Sequence, residues 1–416
     1  MISNDRYIQV IDARGEAQTP TYLRRAKGLV KNGRAEWVNE TTIRIFDLSI
    51  MPDKRIDGIV PASFSLEQPI PMVFPAMCAC VDMQLKGSKA NDETKRKNLT
   101  NTMSLCLTAS GIGFLHAFDC AWLSDPAKPY AAVFSDILPS DDYIRYTMLF
   151  LGYNYRVIRN DGGNQDEMFS CIREAIDSGM PALAERAVGQ YWNIIAGYKD
   201  TGALFGYYPR LAWLPAGQTI SENTADGFLE NGMFIKEDWY SCIEQIVVIE
   251  SKNRQALSAG DFLPYWRSIM ELRGGASLLC GFLAHDAMLS LLRDDAFWQN
   301  ADFLHLERAY QMVRAMGCGL PECRAYTAGA IAHHFAKHCK AELPEGFWPF
   351  RRAVDQYFHD THRQCWKVWR TSGDGLEYKE EFVAPFRDPG VRNQVLKLYE
   401  IIRQNDLHVY DALKNC

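Results

Sequence analysis

The chain has 416 residues, of which 47% are apolar and 23% charged, so it is expected to fold into two or three domains and not to be disordered. No window of about 18 residues is both apolar and free of charge, which excludes a transmembrane helix. A charged N-terminus without an apolar run argues against a signal peptide, and the twelve cysteines are too sparse for a disulfide scaffold. We therefore expect a cytoplasmic protein with reduced thiols and no membrane partner.

The first 46 residues differ in charge from the rest of the chain. They carry a net charge of +3, and because the whole chain carries −6, the other 370 residues carry −9. Tyr7–Ile11 alternates like a strand, Thr19 and Pro20 are suited to open a helix that extends to Gly33, and Glu36–Phe46 has the pattern of a strand or hairpin. The sequence predicts a small basic β-α-β head over residues 1–46.

Residues 47–75 contain five prolines and little periodicity, which predicts an extended linker packed along the next domain. Residues 76–252 predict an α+β domain, with helices at 94–108, 140–152 and 166–178 followed by mostly antiparallel strands. A tight turn is predicted at Lys199–Gly202, between two of these strands. The predicted strands are Tyr155–Ile158, Ala182–Glu185, Trp192–Gly197, Leu204–Tyr207 and Ile246–Glu250.

Residues 253–416 show helical spacing of apolar residues and no strand pattern. They predict an all-α domain of about five helices. The predicted helical segments are 260–295, 301–316, 321–341, 347–371 and 389–415.

The segment TYLRRAKGLVKNGRAEWVNETTIRI (Thr21 to Ile45) resembles a short arginine-rich N-terminal element of many clostridial proteins. More distantly, it is similar to the RRXRR-type head of some guide-RNA nucleases, where such a head is associated with nucleic-acid complexes. No nuclease motif follows it here. The resemblance implies a nucleic-acid contact, and because a net charge of +3 supplies few phosphate contacts, we expect this contact to be weak and salt-sensitive. Its candidate residues are Arg24, Arg25, Lys27, Lys31 and Arg34. We expect a helix over Leu23–Lys31, with these cations facing solvent or paired with acidic residues of the body.

A succession of later segments resembles the N-terminal domain of the butirosin-biosynthesis protein H family. The family implies a papain-like cysteine-peptidase fold followed by a helical region, and its named member transfers an acyl group from a carrier protein. The segments that carry the resemblance are ASGIGFLHAFD (Ala109 to Asp119), LGYNYRVI (Leu151 to Ile158), IREAIDSGMPALAE (Ile172 to Glu185), YWNIIAGYKDTGALFGY (Tyr191 to Tyr207), KEDWYSCIEQIVVIE (Lys236 to Glu250), CGFLAHDAMLSLL (Cys280 to Leu292) and ECRAYTAGAIAHHFAK (Glu322 to Lys337).

A papain-like site requires a cysteine at the start of the first core helix and a histidine on a later strand that deprotonates it. The strand position of that histidine is occupied by Trp192 or Asn193, and His116 is the only histidine between residues 76 and 252. We therefore predict a degenerate site.

Cys78 and Cys80 are either retained nucleophiles or small buried hydrophobes, and Cys106 poses the same choice. His116 with Asp119 could form a base and its orienting carboxylate, or a structural hydrogen bond. We predict that no histidine nitrogen reaches Cys78 or Cys80, unless His116 or His285 folds over them.

Six side chains superficially resemble zinc ligands: Cys318, Cys323, His333, His334, His338 and Cys339. On a helix, however, Cys323 and His334 would be about 16 Å apart, which one metal ion cannot span. A site of His334, His338 and a distant partner stays open, but a helix with one apolar face and one polar face explains the histidines more simply. We therefore predict no metal and no cofactor.

Three functions follow from these patterns, and the sequence leaves the oligomeric state open. The first is a non-catalytic protein whose papain-like cleft binds a small molecule or peptide. The second is an acyltransferase or amide-bond enzyme that uses Cys80 or Cys78. The third is a nucleic-acid-associated regulator acting through the head. The predicted cleft residues are Ser110, Tyr191, Trp192, Asn193, Tyr198 and Tyr207.

Overall fold

The structure is a computed structural model of the chain. It describes residues 7–12, 16–31, 35–45, 51–57, 59, 63–64, 73–87, 92–125, 138, 140–189, 191–208, 210–211, 225–229, 231–252, 258–275, 278–335, 343–372 and 380–416.

The N-terminal head is a four-stranded sheet with one helix. Its elements are β1 (Tyr7–Ile11), β2 (Ala17–Tyr22), α1 (Leu23–Lys31), β3 (Ala35–Asn39) and β4 (Thr42–Ile45). The strand order is β2-β1-β4-β3, in which β1 and β4 are parallel and the two hairpins antiparallel. A small separate core forms from Ile8, Val10, Ala26, Ala35 and Ile43.

The prediction that Thr19 and Pro20 open the helix is wrong, because both lie in β2 and α1 begins at Leu23. Proline lacks the amide proton that a central strand must donate, but β2 is the edge strand of the sheet and tolerates it. The predicted β-α-β head is therefore a β-β-α-β-β unit. The predicted helix end at Asn32 and Gly33 lies outside the described residues.

Part of the predicted linker pairs with the middle region. Strand β5 (Lys54–Arg55) pairs antiparallel with residues 197 and 198, and β6 (Ser63–Phe64) pairs parallel with residues 210 and 211. The linker ends earlier than predicted, because helix α2 (Val73–Leu85) already contains Pro75. Proline is compatible with a helix's first turn, where no intrahelical partner is needed for its missing N–H.

The middle region contains helices followed by a large antiparallel sheet, as predicted. Its elements after α2 are α3 (Asp92–Ala109), a 3₁₀ turn (Ile112–Phe114), β7 (Ala117–Asp119), α4 (Cys120–Ser124), α5 (Ser140–Leu151), β8 (Tyr153–Arg159), α6 (Gln165–Asp177), β9 (Ala182–Glu185), β10 (Trp192–Tyr198), β11 (Leu204–Tyr207), β12 (Arg210–Leu211), β13 (Gly227–Phe228), β14 (Phe234–Lys236) and β15 (Gln245–Lys252).

The sheet has the order β13-β14-β11-β10-β9-β15-β8, and every pairing in it is antiparallel. The predicted hairpin of β10 and β11 is confirmed, with Tyr198 opposite Leu204. Its turn is closed by a 2.8 Å hydrogen bond from the Gly202 amide to the Lys199 carbonyl. Gly202 has a φ of +108°, which few other residues adopt.

Each face of the sheet covers a different core. Successive side chains of a strand point to opposite faces, so Ile194 belongs to one core and Ile195 to the other. Helix α6 covers the second face. On the first face lie α2, α3 and several C-terminal helices.

The C-terminal region is helical apart from one short strand. Its elements are α7 (Ala259–Met270), β16 (Leu278–Cys280), α8 (Gly281–Arg293), α9 (Asp295–Asn300), α10 (Phe303–Ala330) with a π turn (Ile331–Phe335), α11 (Phe347–Ala353) with a π turn (Val354–Phe358), α12 (His359–Thr371), α13 (Glu380–Val383) with a 3₁₀ turn (Ala384–Arg387), and α14 (Pro389–Lys414).

Two predictions for this region are wrong. Strands do not stop at residue 253, since β16 pairs with β7. The segments 301–316 and 321–341 are not separate helices, because α10 runs continuously through Pro321 and ends at Ala330. Residues 336–342 lie outside the described part of the chain.

The hydrophobic core crosses the predicted boundary at residue 252. Phe262 and Trp266 of α7, together with Phe335 and Phe350, join the same core as Met77 of α2. The middle and C-terminal regions are thus held together by a shared apolar interior, whereas the head has its own core. No helix among the described residues is long and apolar enough to cross a membrane.

Candidate functional site

The predicted nucleophiles lie inside the protein. Cys78 and Cys80 are buried on α2, and Cys106 is buried on α3. Burial raises the pKa of Cys78 well above its ordinary value, and the neighbouring Cys106, Cys80 and Asp82 raise it further. Burial, followed by Asp82, does the same to the pKa of Cys106. These surroundings favour protonated, unreactive thiols, because the thiolate is the nucleophilic form.

One buried carboxylate lies among these thiols. Asp82 accepts a 3.0 Å hydrogen bond from the Tyr153 hydroxyl and a 2.6 Å bond from the Lys86 ammonium. These two donors satisfy a charge that burial would otherwise make costly. A carboxylate at this position raises the thiol pKa, whereas a reactive papain-like cysteine needs a cationic imidazole.

The two histidines named in the predictions belong to a different network. His116 and His285 stack with ring centroids 3.9 Å apart, and His285 Nε2 lies 3.0 Å from Asp406 Oδ2. Arg324 Nη2 donates to the same oxygen over 2.7 Å, and Nε donates to Asp406 Oδ1 over 3.1 Å. We call these four residues, all buried, the Arg324 cluster.

The Arg324 cluster also binds the polypeptide backbone. The Arg324 guanidinium donates to the carbonyl oxygens of Gly113, Phe114 and Leu115, which lie just before His116. It thereby fixes the 3₁₀ turn of the middle region to α10 and α14 of the C-terminal region. The cluster is therefore a structural connection between the two regions that share the core.

The cluster shifts the pKa values of its members. Burial lowers the pKa of His116 well below its ordinary value, and the neighbouring His285 and Arg324 lower it further, against the effect of Asp406. Burial alone would raise the pKa of Asp406, but the charge of Arg324 and the hydrogen bond to His285 hold it below its ordinary value. Asp406 is thus a buried anion and His116 a neutral ring.

The predicted partnership of His116 with Asp119 is not formed. Asp119 Oδ1 instead accepts a 2.8 Å hydrogen bond from the Trp122 amide and caps α4. The titratable groups that act on the pKa of His116 are His285, Asp406 and Arg324, whereas those that act on the pKa of Cys78 are Cys106, Cys80 and Asp82. The histidines and the thiols therefore belong to separate networks.

The six predicted cleft residues are all buried and do not line one surface. Tyr191, Trp192 and Tyr207 belong to the core shared with α2, whereas Tyr198 faces α6 and donates a 2.8 Å hydrogen bond to Asp177. The strand alternation and a bulge in β10 between Ile195 and Gly197 account for this division.

The two polar members of the set have structural partners. Asn193 Oδ1 accepts from the Val188 amide over 2.8 Å, while Nδ2 donates to the Val188 carbonyl over 3.1 Å. The Ser110 hydroxyl donates to the Leu107 carbonyl over 2.9 Å. The hydrogen bonds of both side chains therefore stabilise the backbone close to them in the sequence.

Within the described residues, no group of three His, Cys, Asp or Glu side chains is placed to hold a metal ion. Cys323 is buried, which raises its pKa to about 12, and Cys318, His334 and His338 have no described side chain.

The head presents the most exposed charged surface among the predicted sites. The predicted helix Leu23–Lys31 is confirmed, with Arg24, Arg25, Lys27 and Lys31 all exposed and Ala26 buried. Arg34 lies outside the described residues. In the part of the chain that the structure describes, none of the four cations forms an ion pair or side-chain hydrogen bond. They are therefore available to an external anion.

No protein-family model matches the chain, and no curated protein is significantly similar to it.

The Arg324 cluster is the polar feature that sequence reasoning missed. Asp406 lies four residues after Ile402 and three before Val409, both of which are buried on the same face of α14. A carboxylate at an apolar position of a helical pattern indicates burial, and a buried carboxylate requires a partner. The pattern could have predicted that Asp406 is buried and paired. It could not have predicted that Arg324 is the partner, because that depends on how α8, α10 and α14 pack together.

Proposed function

We propose that this protein binds nucleic acid through the basic helix of its N-terminal head, and that the cysteines of its body catalyse no reaction. The observation that supports this best is the set of four exposed cations on α1 that have no partner among the described residues.

The spacing of these cations places most of them on one side of the helix. Arg24, Lys27 and Lys31 are separated by three and four residues and therefore form a stripe along α1. The stripe lies opposite Ala26, which is buried against the sheet. At about 1.5 Å per residue it is about 10 Å long, which is enough to contact more than one phosphate of a nucleic-acid backbone.

Electrostatics favours a polyanion over other partners. Helix α1 carries four cations and no acidic residue, and the head as a whole carries +3 although the rest of the chain is acidic. Each neutralised phosphate releases counterions, so affinity falls with salt with a slope of about −0.7 per contact on single strands. Four contacts predict a slope of about −3.

Neither alternative function has comparable support. An acyltransferase needs an activated thiol, and Cys78 is buried with a raised pKa. A ligand cleft needs exposed lining, and the six side chains assigned to it are all buried, four of them in two different cores.

The test is fluorescence anisotropy of the full chain with labelled oligonucleotides across a range of salt concentrations. The test variant changes Arg24, Arg25, Lys27 and Lys31 to Gln. The control variant changes Lys97, Lys252, Arg273 and Lys397 to Gln, four exposed cations of the body, so that its net charge changes equally.

We expect the head variant to bind at least tenfold more weakly and to lose most of the salt dependence, with the control close to the unmodified chain. Equal losses in both variants, or no binding by the unmodified chain at low salt, would refute the proposal.

The absence of cysteine catalysis is tested separately by alkylation followed by mass spectrometry. Cys78 and Cys106 should stay unlabelled at pH 7 until denaturant unfolds the chain, because both are buried. Rapid labelling of Cys78 in the native protein would instead indicate an activated thiol.

A further inference from the structure

The open face of the head sheet carries two exposed aromatic rings. Tyr7 is 71% exposed and Tyr22 is 53% exposed. They are register partners at one end of the β1–β2 hairpin. Opposed residues of an antiparallel pair have Cβ atoms about 5 Å apart and point to the same face, so the two rings form one small aromatic surface.

The strand pattern shows which face this is. Ile8 and Thr21, the next pair along the hairpin, are buried toward α1. Because side chains alternate along a strand, Tyr7 and Tyr22 point to the side away from the helix. Gln9 is exposed on the same side, so no described element covers this face.

The two rings do not contribute to the folding of the head through any polar or ring contact with the described residues. Neither side chain makes a hydrogen bond or a ring contact with any described residue. The head core is completed without them by Ile8, Val10, Ala26, Ala35 and Ile43. Two adjacent exposed aromatic side chains outside a core are typical of a binding surface.

The aromatic pair adjoins the basic helix through the chain itself. Tyr22 is followed by Leu23, Arg24 and Arg25, so the Cα atoms of Tyr22 and Arg24 are at most about 7.6 Å apart. The cation stripe faces away from the sheet, on the side opposite the two rings, so a ligand that contacts both surfaces must pass around the corner at edge strand β2, where Tyr22 precedes Arg24. Uncharged rings near cations that have no described partner suit a ligand with both flat bases and phosphates.

We infer that the head binds single-stranded nucleic acid, whose unpaired bases stack on Tyr7 and Tyr22 while its backbone passes the corner to Arg24 and Arg25. The inference rests on the proposed function and specifies its ligand. Bases within a duplex are already stacked on each other and cannot cover the rings, whereas any base of a single strand has a free face.

The experiment compares three ligands of equal length with the full chain: a single-stranded oligonucleotide, an abasic strand with the same phosphates, and a duplex. The test variant is Tyr7→Thr with Tyr22→Thr, which keeps strand-favouring residues at both positions. The matched variant, Tyr7→Phe with Tyr22→Phe, retains the rings and removes the hydroxyls.

We expect the unmodified chain and the Phe variant to bind the single strand at least tenfold more tightly than the abasic strand, and also more tightly than the duplex. The Thr variant should bind the single strand and the abasic strand equally, with unchanged affinity for the abasic strand. Loss of abasic binding in the Thr variant, or equal single-strand affinity in the Thr and Phe variants, would overturn the inference.

The design separates the inference from the proposed function. If the cation variant weakens all three ligands but the tyrosines have no effect, nucleic-acid binding stands and the stacking surface is wrong. Preference for the duplex would likewise overturn the stacking surface only. If the unmodified chain binds none of the ligands at low salt, both fail.

Discussion

Arginine has opposite surroundings in the head and in the body of this protein. Arg24 is exposed on a nine-residue helix without a described partner, whereas Arg324 is buried and donates to Asp406 and to three backbone carbonyls. The same guanidinium is therefore free to bind an external anion in one region and stabilises the fold in the other. Burial and pairing, and not residue type, separate binding groups from structural groups.

The largest expected effect on stability comes from removing the buried guanidinium of Arg324. Arg324→Met should lower the free energy of unfolding by about 3–5 kcal/mol, because it leaves Asp406 buried without its main counter-charge. Urea unfolding of the full chain measures this. Arg24→Met is the control and should stay within about 0.5 kcal/mol, since its side chain is exposed.

A second variant tests whether pairing causes the loss. Combining Arg324→Met with Asp406→Leu removes both charges and should recover part of the stability. If Arg324→Met were as mild as Arg24→Met, the cluster would not be a structural connection.

The next largest loss of stability is expected from Gly113→Ala, which changes the packing beside the Arg324 cluster. A Cβ at Gly113 would lie 1.8 Å from Thr327 Oγ1, so Gly113→Ala should cost about 1–3 kcal/mol through overpacking. Thermal unfolding measures it. Adding Thr327→Ala removes the clashing hydroxyl and should restore much of the lost stability. If the double variant were as unstable as Gly113→Ala alone, overpacking against Thr327 would not be the cause.

The pH dependence of stability tests the buried ring of His116. His116 has a lowered pKa in the folded state, because burial and the nearby His285 and Arg324 disfavour its charged form. Below about pH 6.5 the unfolded chain takes up a proton that folded His116 does not, so stability falls with falling pH, by at most about 1.4 kcal/mol per pH unit. Urea unfolding between pH 7 and 5 measures the slope.

One substitution assigns that slope. His116→Phe keeps an aromatic ring against His285 but cannot titrate, so it should flatten the curve between about pH 6.5 and 5. A slope that persists in His116→Phe would assign it to another group.

The smallest expected effect lies in the head. Gly28 is in α1, and a Cβ there would have no atom within 4 Å. Gly28→Ala should therefore stabilise the helix by about 0.5–1 kcal/mol, opposite in sign to Gly113→Ala. Hydrogen exchange of the α1 amides measures it, and faster exchange in the variant would show that the helix packs differently.

The sequence by itself determined most elements whose apolar pattern is local. The spacing in Leu23–Lys31 predicted α1, and the alternation around Lys199–Gly202 predicted the β10–β11 hairpin, because each pattern reflects which side of a short segment is buried. The exposed cations of α1 were predictable for the same reason. Strand β2 was not, since a proline is acceptable there only because the sheet places that strand at its edge.

Tertiary structure alone decided which side chains meet. The predicted cleft residues were chosen along one strand and its neighbours, but a strand sends alternate residues to two faces, and the bulge in β10 moves Tyr198 to the side of α6. Arg324 and Asp406 are 82 residues apart, and only the packing of α10 against α14 brings them into contact. Local patterns determine burial and conformation, whereas the pairing of distant charges depends on the three-dimensional arrangement of whole helices.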